Sequence, residues 1–441
     1  MDRTTRTAPA APSRSRDPAR DLARRLLAGV LERGAALDDD GDPAPGLDPA
    51  ARARGLRLAR STLRHLDRAD AALAVHMRRH PLLPVRHILR LAVVEHVVED
   101  APAHAVVDEA VAAARALPGG AALSGLVNAV LRKALAVPAE DWRTRPPQRM
   151  PGWLRGRALN AWGNAAVVAM EAAHEAGAPL DLTPRTADGA AALAQATGGV
   201  VLPTGSVRVG AGAQVTALPG YDTGDWWVQD AAAAMPARLL DPRPGERVLD
   251  LCAAPGGKTL QLAAAGAVVT ALDIAPARLE RLSANLARCG LAAEVVAADA
   301  LDWSPPDAFD AILLDAPCTA TGTIRRHPDL PHRRDAGALK ALVPLQAALL
   351  DRATGWLKPG GRLVFATCSI LPDEGEGQLA AALVRHPDLR LAEGPAPAGF
   401  EEGWRAPGGG WRLRPDYWAD RGGMDGFFFA CLRRDGDGAG T

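Results

Sequence analysis

Hydrophobic residues in the first third of the chain recur at the spacing of amphipathic helices. Leu22, Leu26, Leu27, Val30 and Leu31 form one stripe with the helical period of 3.6 residues. Similar runs follow at about 50–77, 84–99, 103–117 and 121–136. Prolines separate these runs, as is typical of helix boundaries, and no strand-like alternation occurs. This pattern predicts an all-α domain of about five helices over residues 17–137.

The pattern changes twice further along the chain. Residues 138–225 begin with a Pro- and Arg-rich linker and continue with a helix near 153–176 and short apolar pieces, which predicts a small α+β region. From residue 226 to 434, short apolar strands alternate with helices, and this alternation is typical of a parallel sheet with crossover helices. The strand candidates are 247–251, 267–273, 294–297, 310–315 and 361–367, with 389–394 and 425–434 as added edge strands. The prediction is an α/β domain with a mixed, seven-stranded sheet.

Composition narrows the class of protein. The chain of 441 residues is 48% hydrophobic and 23% charged, as folded proteins are, and no apolar run reaches the length of a membrane span. The first sixteen residues hold four Arg and no apolar stretch, which predicts a disordered basic arm rather than a signal peptide. Residues 435–441 are expected to be a disordered tail. We therefore expect a cytoplasmic protein without a membrane partner, and a monomer.

Charge and cysteine content add two expectations. Residues 1–150 hold 24 Lys and Arg against 18 Asp and Glu, so the front half is basic and suits a polyanionic partner, although so small an excess is weak evidence. The five cysteines include no CxxC pair and no histidine at the spacing of zinc ligands. We expect reduced thiols and no metal site.

The first motif with chemical content is 248-VLDLCAAPGGKT-259. An apolar strand leads into small residues that allow a ligand to approach the backbone, and a helix then opens. The candidate cofactor-binding residues in this turn are Cys252, Ala253, Ala254, Pro255, Gly256, Gly257 and Lys258. Three acids at the ends of successive strands, Asp273, Asp299 and Asp315, point to the same crevice, and the first stands where such folds bind a ribose.

Two further motifs, 315-DAPCTATGTIRRHP-328 and 366-ATCSILPDE-374, each place a cysteine one to three residues beyond a predicted strand. In a parallel sheet the loops that follow the strands share one edge, so Cys318 and Cys368 are expected to face a common site although 50 positions separate them.

These three motifs resemble the signatures of the RNA 5-methylcytosine methyltransferases, and the Pro-Cys and Thr-Cys-Ser pair distinguishes that family from other Rossmann-like methyltransferases. The segments 101-APAHAVVDEAVAAAR-115 and 126-LVNAVLRKA-134 resemble the NusB-like RNA-binding domain of antitermination factors. Together they resemble the bacterial type that acts on 16S, or small-subunit, rRNA. The resemblance covers most of residues 17–434. It departs from the family at 180-LDLTPR-185 and at His332, where relatives carry an Arg-x-Asn strand and an aromatic.

The resemblance implies a Rossmann-like class I methyltransferase domain with S-adenosylmethionine as cofactor and structured RNA, 16S rRNA above all, as partner. It also implies that Cys368 is the nucleophile, that Cys318 is the base or assistant for its release, and that Asp315 holds the cytosine edge. Arg325 or Arg326 would favour the thiolate, and both, with Arg333 and Arg334, would contact RNA phosphates.

Two alternatives stay open. One keeps the chemistry and changes the substrate to tRNA, another rRNA site or DNA; the Thr-Cys-Ser motif argues against DNA enzymes, in which the Pro-Cys cysteine is the nucleophile. The other is a non-catalytic RNA-binding or antitermination-type factor, against which the intact glycines and cysteines speak.

Overall fold

The computed structural model describes residues 17–37, 44–136, 139–210, 212–392 and 396–436. The predicted basic arm and all but the first two residues of the predicted tail lie outside these ranges. The chain forms two compact units. The first contains the described residues up to Arg149 together with 327–333, and the second contains 150–326 and 334 onward. A short piece of the segment that follows Cys318 is therefore part of the first unit.

The first unit is helical. Its helices are α1 Pro18–Arg33, α2 Pro49–Arg64, α3 Leu66–Ala74, α4 Leu83–Val97, α5 Ala103–Arg115, α6 Gly120–Ala134 and α7 Ala139–Arg143. Helix α1 begins where the Asp17 carboxylate accepts the N–H groups of Ala19 and Arg20, and it ends at Gly34 in the left-handed region. The all-α prediction is confirmed, but the run predicted as one helix over 50–77 is two, because the chain breaks at His65.

The second unit opens with a long helix and a small sheet. Helix α8, Gly152–Ala176, is kinked at Gly163, whose φ of 76° and ψ of 168° are not helical. The small sheet has four antiparallel strands in the order β2-β3-β1-β4. Its elements are β1 Leu180–Pro184, α9 Ala190–Thr197, β2 Val200–Val201, β3 Val207–Val209 and β4 Trp226–Val228. This is the α+β region that the sequence predicts.

The main sheet follows. Its strands are β5 Arg247–Leu251, β6 Val268–Asp273, β7 Glu294–Ala297, β8 Phe309–Asp315, β9 Leu357–Thr367, β10 Leu389–Leu391, β11 Trp411–Leu413 and β12 Phe427–Arg434. The accompanying helices are α10 Met235–Leu240, α11 Gly257–Ala264, α12 Pro276–Cys289, α14 Ala336–Gly355 and α15 Glu376–Arg385, and a short helix, α13 Leu330–Arg333, belongs to the first unit.

Strand order places the motifs. The order is β10-β12-β9-β8-β5-β6-β7, with β11 paired to β12. Strands β5 to β9 are mutually parallel and β12 runs antiparallel to β9, so the mixed sheet is confirmed with one short strand, β11, more than predicted. Both faces of the central strands are buried: Val248 packs on one side of β5 and Leu249 on the other. This explains why these strands are continuous apolar runs rather than alternating ones.

None of the helices in the described parts of the chain has the length and apolarity to span a membrane.

His174 on α8 provides a test of how deeply this helix is buried. Burial, together with the charge of Arg325, lowers the pKa of His174 to about 3, well below its usual 6.5. His174 therefore becomes protonated below about pH 6.5 in the unfolded chain but stays neutral in the folded chain down to about pH 3. The free energy of unfolding falls as the pH drops through this range. We expect His174 to lower the free energy of unfolding by about 2 kcal/mol when the pH falls from 7 to 5. Denaturant unfolding of wild type and His174→Phe at both pH values measures it. Equal losses in the two proteins would contradict the assignment.

Candidate active site

The turn between β5 and α11 is shaped for close approach of a ligand. The peptide bond between Ala254 and Pro255 is cis, and Gly256 has a φ of 105°. A Cβ added at Gly256 would lie 2.7 Å from Leu282 Cγ, so only glycine fits without displacing α12. We call residues 252–258, the predicted cofactor-binding segment in this turn, the cofactor turn.

Two of the three strand-end acids organise local backbone. Asp273 accepts the N–H of Ala254 at 3.0 Å and that of Ala275 at 2.9 Å, so its carboxylate ties the end of β6 to the cofactor turn. Asp299 is exposed and accepts the N–H of Leu301 at 2.9 Å. Both stand at the carboxyl edge of the sheet, and each carboxylate keeps acceptor sites for a ligand.

The third acid, Asp315, is paired with a buried lysine. Lys258 Nζ donates to Asp315 Oδ2 at 2.6 Å and lies 5.3 Å from the centre of the Phe427 ring. Burial acts to lower the pKa of Lys258, but the Asp315 carboxylate, with Asp250 and Cys368, raises it above its ordinary value. An ion pair thus joins the cofactor turn, which contains Lys258, to the Pro-Cys loop, which begins at Asp315.

The structure brings the two predicted thiols together. Cys318 follows β8, Cys368 follows the neighbouring strand β9, and their Sγ atoms are 3.4 Å apart. The hydrogen bond to Cys368 is the largest cause that raises the pKa of Cys318 well above its usual value, and burial and the charges of Cys368 and Glu374 add to it. Cys318 therefore keeps its proton, and Cys368, whose Sγ it contacts, is half-buried.

A buried glutamate holds the two cysteine loops in register. Glu374 is fully buried, and its carboxylate accepts the backbone N–H of Thr319 at 2.8 Å and the Gln346 amide at 3.0 Å. Gln346 also donates to the Pro317 carbonyl at 2.9 Å. The residues on either side of Cys318 are thus fixed to the turn that follows Cys368.

Of the two arginines expected near the thiolate, only Arg326 has that position. Arg325 is fully buried, donates to Asp230 at 2.9 Å and to the Gly422 carbonyl at 2.7 Å, and so braces the interior. Arg326 binds Asp425 at 2.6 Å. Burial acts to lower the pKa of Arg326, but Asp425, Asp230 and the Cys368 sulfur raise it. A permanent cation is therefore held within electrostatic reach of Cys368.

Arg333, expected to contact RNA at the site, lies in the first unit, where it binds Asp329 at 2.9 Å and the Gly34 carbonyl at 3.3 Å. His332 lies in the same segment.

The other three thiols are chemically quiet. Burial raises the pKa of Cys252 and of Cys289, and it raises the pKa of Cys431 to about 11. The five cysteines form no disulfide, and the described residues contain no cluster of His, Cys, Asp and Glu that could hold a metal. These three side chains are small hydrophobic packing residues rather than candidates for catalysis.

Five parallel strands continued by the antiparallel strand β12, with a small-residue turn after β5 and acids at three strand ends, define a Rossmann-like methyltransferase domain. Comparison with known families agrees. The family model described as 16S rRNA methyltransferase RsmB/F matches residues 237–433, and the NusB family model matches residues 16–136.

Individual relatives extend over nearly the whole chain. It is 37% identical to the ribosomal RNA small subunit methyltransferase B of Klebsiella pneumoniae, over 94% of this chain and 97% of the relative. The enzyme of that name from Pseudomonas putida is 38% identical, over 93% and 97%. A methyltransferase homolog from Pyrococcus horikoshii is 30% identical with a TM-score of 0.54, over 63% of this chain and 93% of that one. The crystal structure of PH0851 covers 95% of this chain and 99% of its own with a TM-score of 0.71; at 22% identity it shows the fold alone.

The chain therefore belongs to the RsmB/F family of 16S rRNA methyltransferases and carries a NusB-family domain at its front. It is an S-adenosylmethionine-dependent RNA methyltransferase.

Sequence reasoning missed three residues of this site. Glu374 stands in a motif that the sequence singles out, but nothing in the pattern shows that it reaches Thr319. Ile274 stands directly after Asp273 and is 66% exposed, which only the structure shows. Asp250 lies beneath the turn, where burial raises its pKa to about 7, and Thr259 donates to it at 2.6 Å.

The conformation of Gly256 gives a direct test of the cofactor turn. Gly256→Ala should weaken S-adenosylmethionine binding at least tenfold, because the new Cβ must displace Leu282 and reshape the turn. Gly245→Ala is the matched control: Gly245 also has a positive φ, of 81°, but a Cβ there meets nothing within 4 Å. Calorimetric titration of both variants measures the two affinities. Equal weakening in both would show that the turn is not the binding site.

Proposed function

We propose that this enzyme methylates carbon 5 of a cytosine in 16S rRNA through a covalent bond between Cys368 Sγ and carbon 6 of the base. The observation that carries the proposal is the pair of thiols, 3.4 Å apart, at the edge where the cofactor turn and Asp315 also lie. The names of the relatives, which specify small-subunit ribosomal RNA, support the choice of substrate.

The proposed attack explains why a thiolate is needed. Carbon 5 of cytosine is a weak nucleophile. When Cys368 Sγ bonds to carbon 6, the π bond between carbons 5 and 6 breaks and its electron pair moves toward carbon 5, which can then accept a methyl group. Bound S-adenosylmethionine supplies an electrophilic methyl group on a positively charged sulfur. We assign Lys258 and Arg326, both within electrostatic reach of the Cys368 sulfur, to holding the attacking thiolate.

Release completes the cycle. After methyl transfer carbon 5 still carries its proton, and the bond from carbon 6 to Cys368 must break. The raised pKa of Cys318 keeps it protonated beside Cys368, so it can give its proton to the departing sulfur and take the one from carbon 5. The electron pair of the carbon 5–hydrogen bond then re-forms the double bond between carbons 5 and 6. After release Cys318 is again a thiol, and Cys368 is a thiol instead of the starting thiolate. Cys368 loses this proton when the thiolate re-forms. This assigns Cys318 to proton transfer in release.

Asp315 and Lys258 suit the recognition of cytosine. A carboxylate paired with an ammonium group is an acceptor, and cytosine presents an exocyclic amino group as donor where uracil presents an oxygen. The Lys258 ammonium group is a donor for the acceptor atoms of the same base edge. We assign these two residues to the choice of cytosine over uracil.

The remaining candidates suit the cofactor. The turn over 252–258 offers backbone groups to it, Asp273 keeps acceptor sites for ribose hydroxyls, and exposed Ile274 provides an apolar face for an adenine ring. Asp299, at the end of the next strand, is placed for the polar edge of that ring.

Replacing each active-site cysteine should give opposite results. Cys368→Ala should abolish methylation and form no adduct, because no thiolate remains to attack. Cys318→Ala should still attack but release slowly, and so accumulate a covalent RNA–protein complex. The readout is a denaturing gel of each variant after incubation with RNA and cofactor, where the adduct migrates as a shifted band. If the shifted band came from Cys368→Ala instead, the two roles would be exchanged.

Substrate choice requires its own experiment. We expect unmodified 16S rRNA transcript to accept methyl groups at one cytosine, identified by bisulfite sequencing, with Cys368→Ala as the matched inactive control. Transcripts of 23S rRNA and tRNA, and DNA, should incorporate at least tenfold less. Preferential modification of tRNA or DNA would contradict the substrate assignment. Cofactor binding without methylation of any of these would favour a non-catalytic RNA-binding factor.

A further inference from the structure

Three consecutive backbone carbonyls, starting with that of Cys368, are each held by a donor from elsewhere in the second unit. The Cys368 carbonyl accepts the N–H of Gly322 at 2.9 Å. The Ser369 carbonyl accepts Arg412 Nη1, and the Ile370 carbonyl accepts the indole N–H of Trp162 at 3.0 Å. We call residues 368–370 and these three donors the nucleophile clamp.

Trp162 comes from a distant element, helix α8. It is the last residue before the kink at Gly163, and it is half-buried. A second contact joins the same helix to the same turn: Arg157 Nη1 lies 3.3 Å from Asp373 Oδ1. This ion pair is largely exposed and is worth little by itself, so the indole hydrogen bond is the main polar tie from α8.

Arg412 comes from strand β11, and several contacts hold its side chain in place. It is 3% exposed, and its Nε donates to Glu376 Oε1 at 3.0 Å. The guanidinium group lies 5.5 Å from the centre of the Trp162 ring and 5.2 Å from that of Phe428. A buried guanidinium with a carboxylate partner and two ring faces has little freedom to move. Its remaining donor is therefore fixed on the Ser369 carbonyl.

Two N–H groups of the turn donate to nearby residues. The Ile370 N–H donates to Thr321 Oγ1 at 3.2 Å, and the Leu371 N–H donates to Ser369 Oγ at 3.0 Å. Both acceptors lie on the cysteine loops themselves. Trp162 and Arg412, by contrast, connect the carbonyl groups directly after Cys368 to a separate helix and a separate strand.

We propose that Trp162 and Arg412 are positioning residues, which set the direction of Cys368 Sγ by fixing the carbonyl groups of the next two residues, Ser369 and Ile370. This inference deepens the covalent mechanism proposed above and rests on it. The nucleophile has to meet carbon 6 and later leave it along one line, and small misplacements of reacting atoms reduce rates strongly. Neither residue touches the reacting atoms.

The decisive variant is Trp162→Phe, which keeps a ring for the arginine contacts and removes the N–H donor. Trp153→Phe is the matched control on the same helix, because the Trp153 indole N–H is buried and has no hydrogen-bond partner within the described residues. The measured quantity is the single-turnover rate of adduct formation with RNA that contains 5-fluorocytidine. Fluorine replaces the proton on carbon 5 of this base, so the covalent adduct with the enzyme cannot break down. We also measure kcat, the KM for RNA, the cofactor affinity and the melting temperature.

We expect Trp162→Phe to slow adduct formation and kcat five- to tenfold, as the loss of one positioning hydrogen bond would, while KM and cofactor affinity change less than twofold. Trp153→Phe should match wild type.

If Trp162→Phe does not fold, Arg412→Lys is the second variant. Lysine keeps the charge but cannot donate to both Glu376 and the Ser369 carbonyl, so this variant should show the same slowing of kcat without a change in KM. Wild-type rates in the folded variant, or equal slowing in the Trp153→Phe control, would overturn the clamp. Absence of any adduct in the wild-type protein would instead overturn the covalent mechanism.

Discussion

The parallel pairing of β8 with β9 is the constraint on which the site depends. Asp315 pairs with Ala366 at the ends of these strands, so both strands reach the carboxyl edge of the sheet together. The Pro-Cys loop and the Thr-Cys-Ser loop then leave from adjacent points, and two cysteines 50 positions apart in the chain place their sulfur atoms in contact. Slippage of the register by one residue would turn alternate side chains to opposite faces and separate the loops.

The surrounding charges give the two thiols different properties. Cys368 lies within electrostatic reach of Lys258 and Arg326, whereas Cys318 is buried and its hydrogen bond to Cys368, with burial, raises its pKa well above the usual value. Each cation is itself held by a carboxylate, Asp315 or Asp425, so both stay in place before a substrate arrives. Groups fixed in advance do not have to reorganise during the reaction, which is the general source of electrostatic catalysis.

How much could be predicted from sequence depends on the range of the interaction. The strands and the cysteine loops follow from local apolar runs and from the rule that parallel strands end at one edge, and the family motifs suggest roles for Cys318 and Cys368. The role of Glu374 was out of reach, because its partner Thr319 lies 55 positions away and no periodicity links them. The sequence offers Arg325 and Arg326 alike as cations near the thiolate, and only the structure shows that Arg325 turns inward to Asp230. Trp162 reads as one more residue of an amphipathic helix until Gly163 is seen to end the first half of α8.

The central claim is that Cys368 Sγ is the atom that bonds to the base. The most direct measurement is peptide mapping by mass spectrometry of the wild-type enzyme trapped with RNA that contains 5-fluorocytidine, after digestion of both protein and RNA. The account predicts that the residual nucleotide is attached to the peptide that contains Cys368, with Cys318 unmodified. A nucleotide attached to Cys318, or to any other residue, would contradict it.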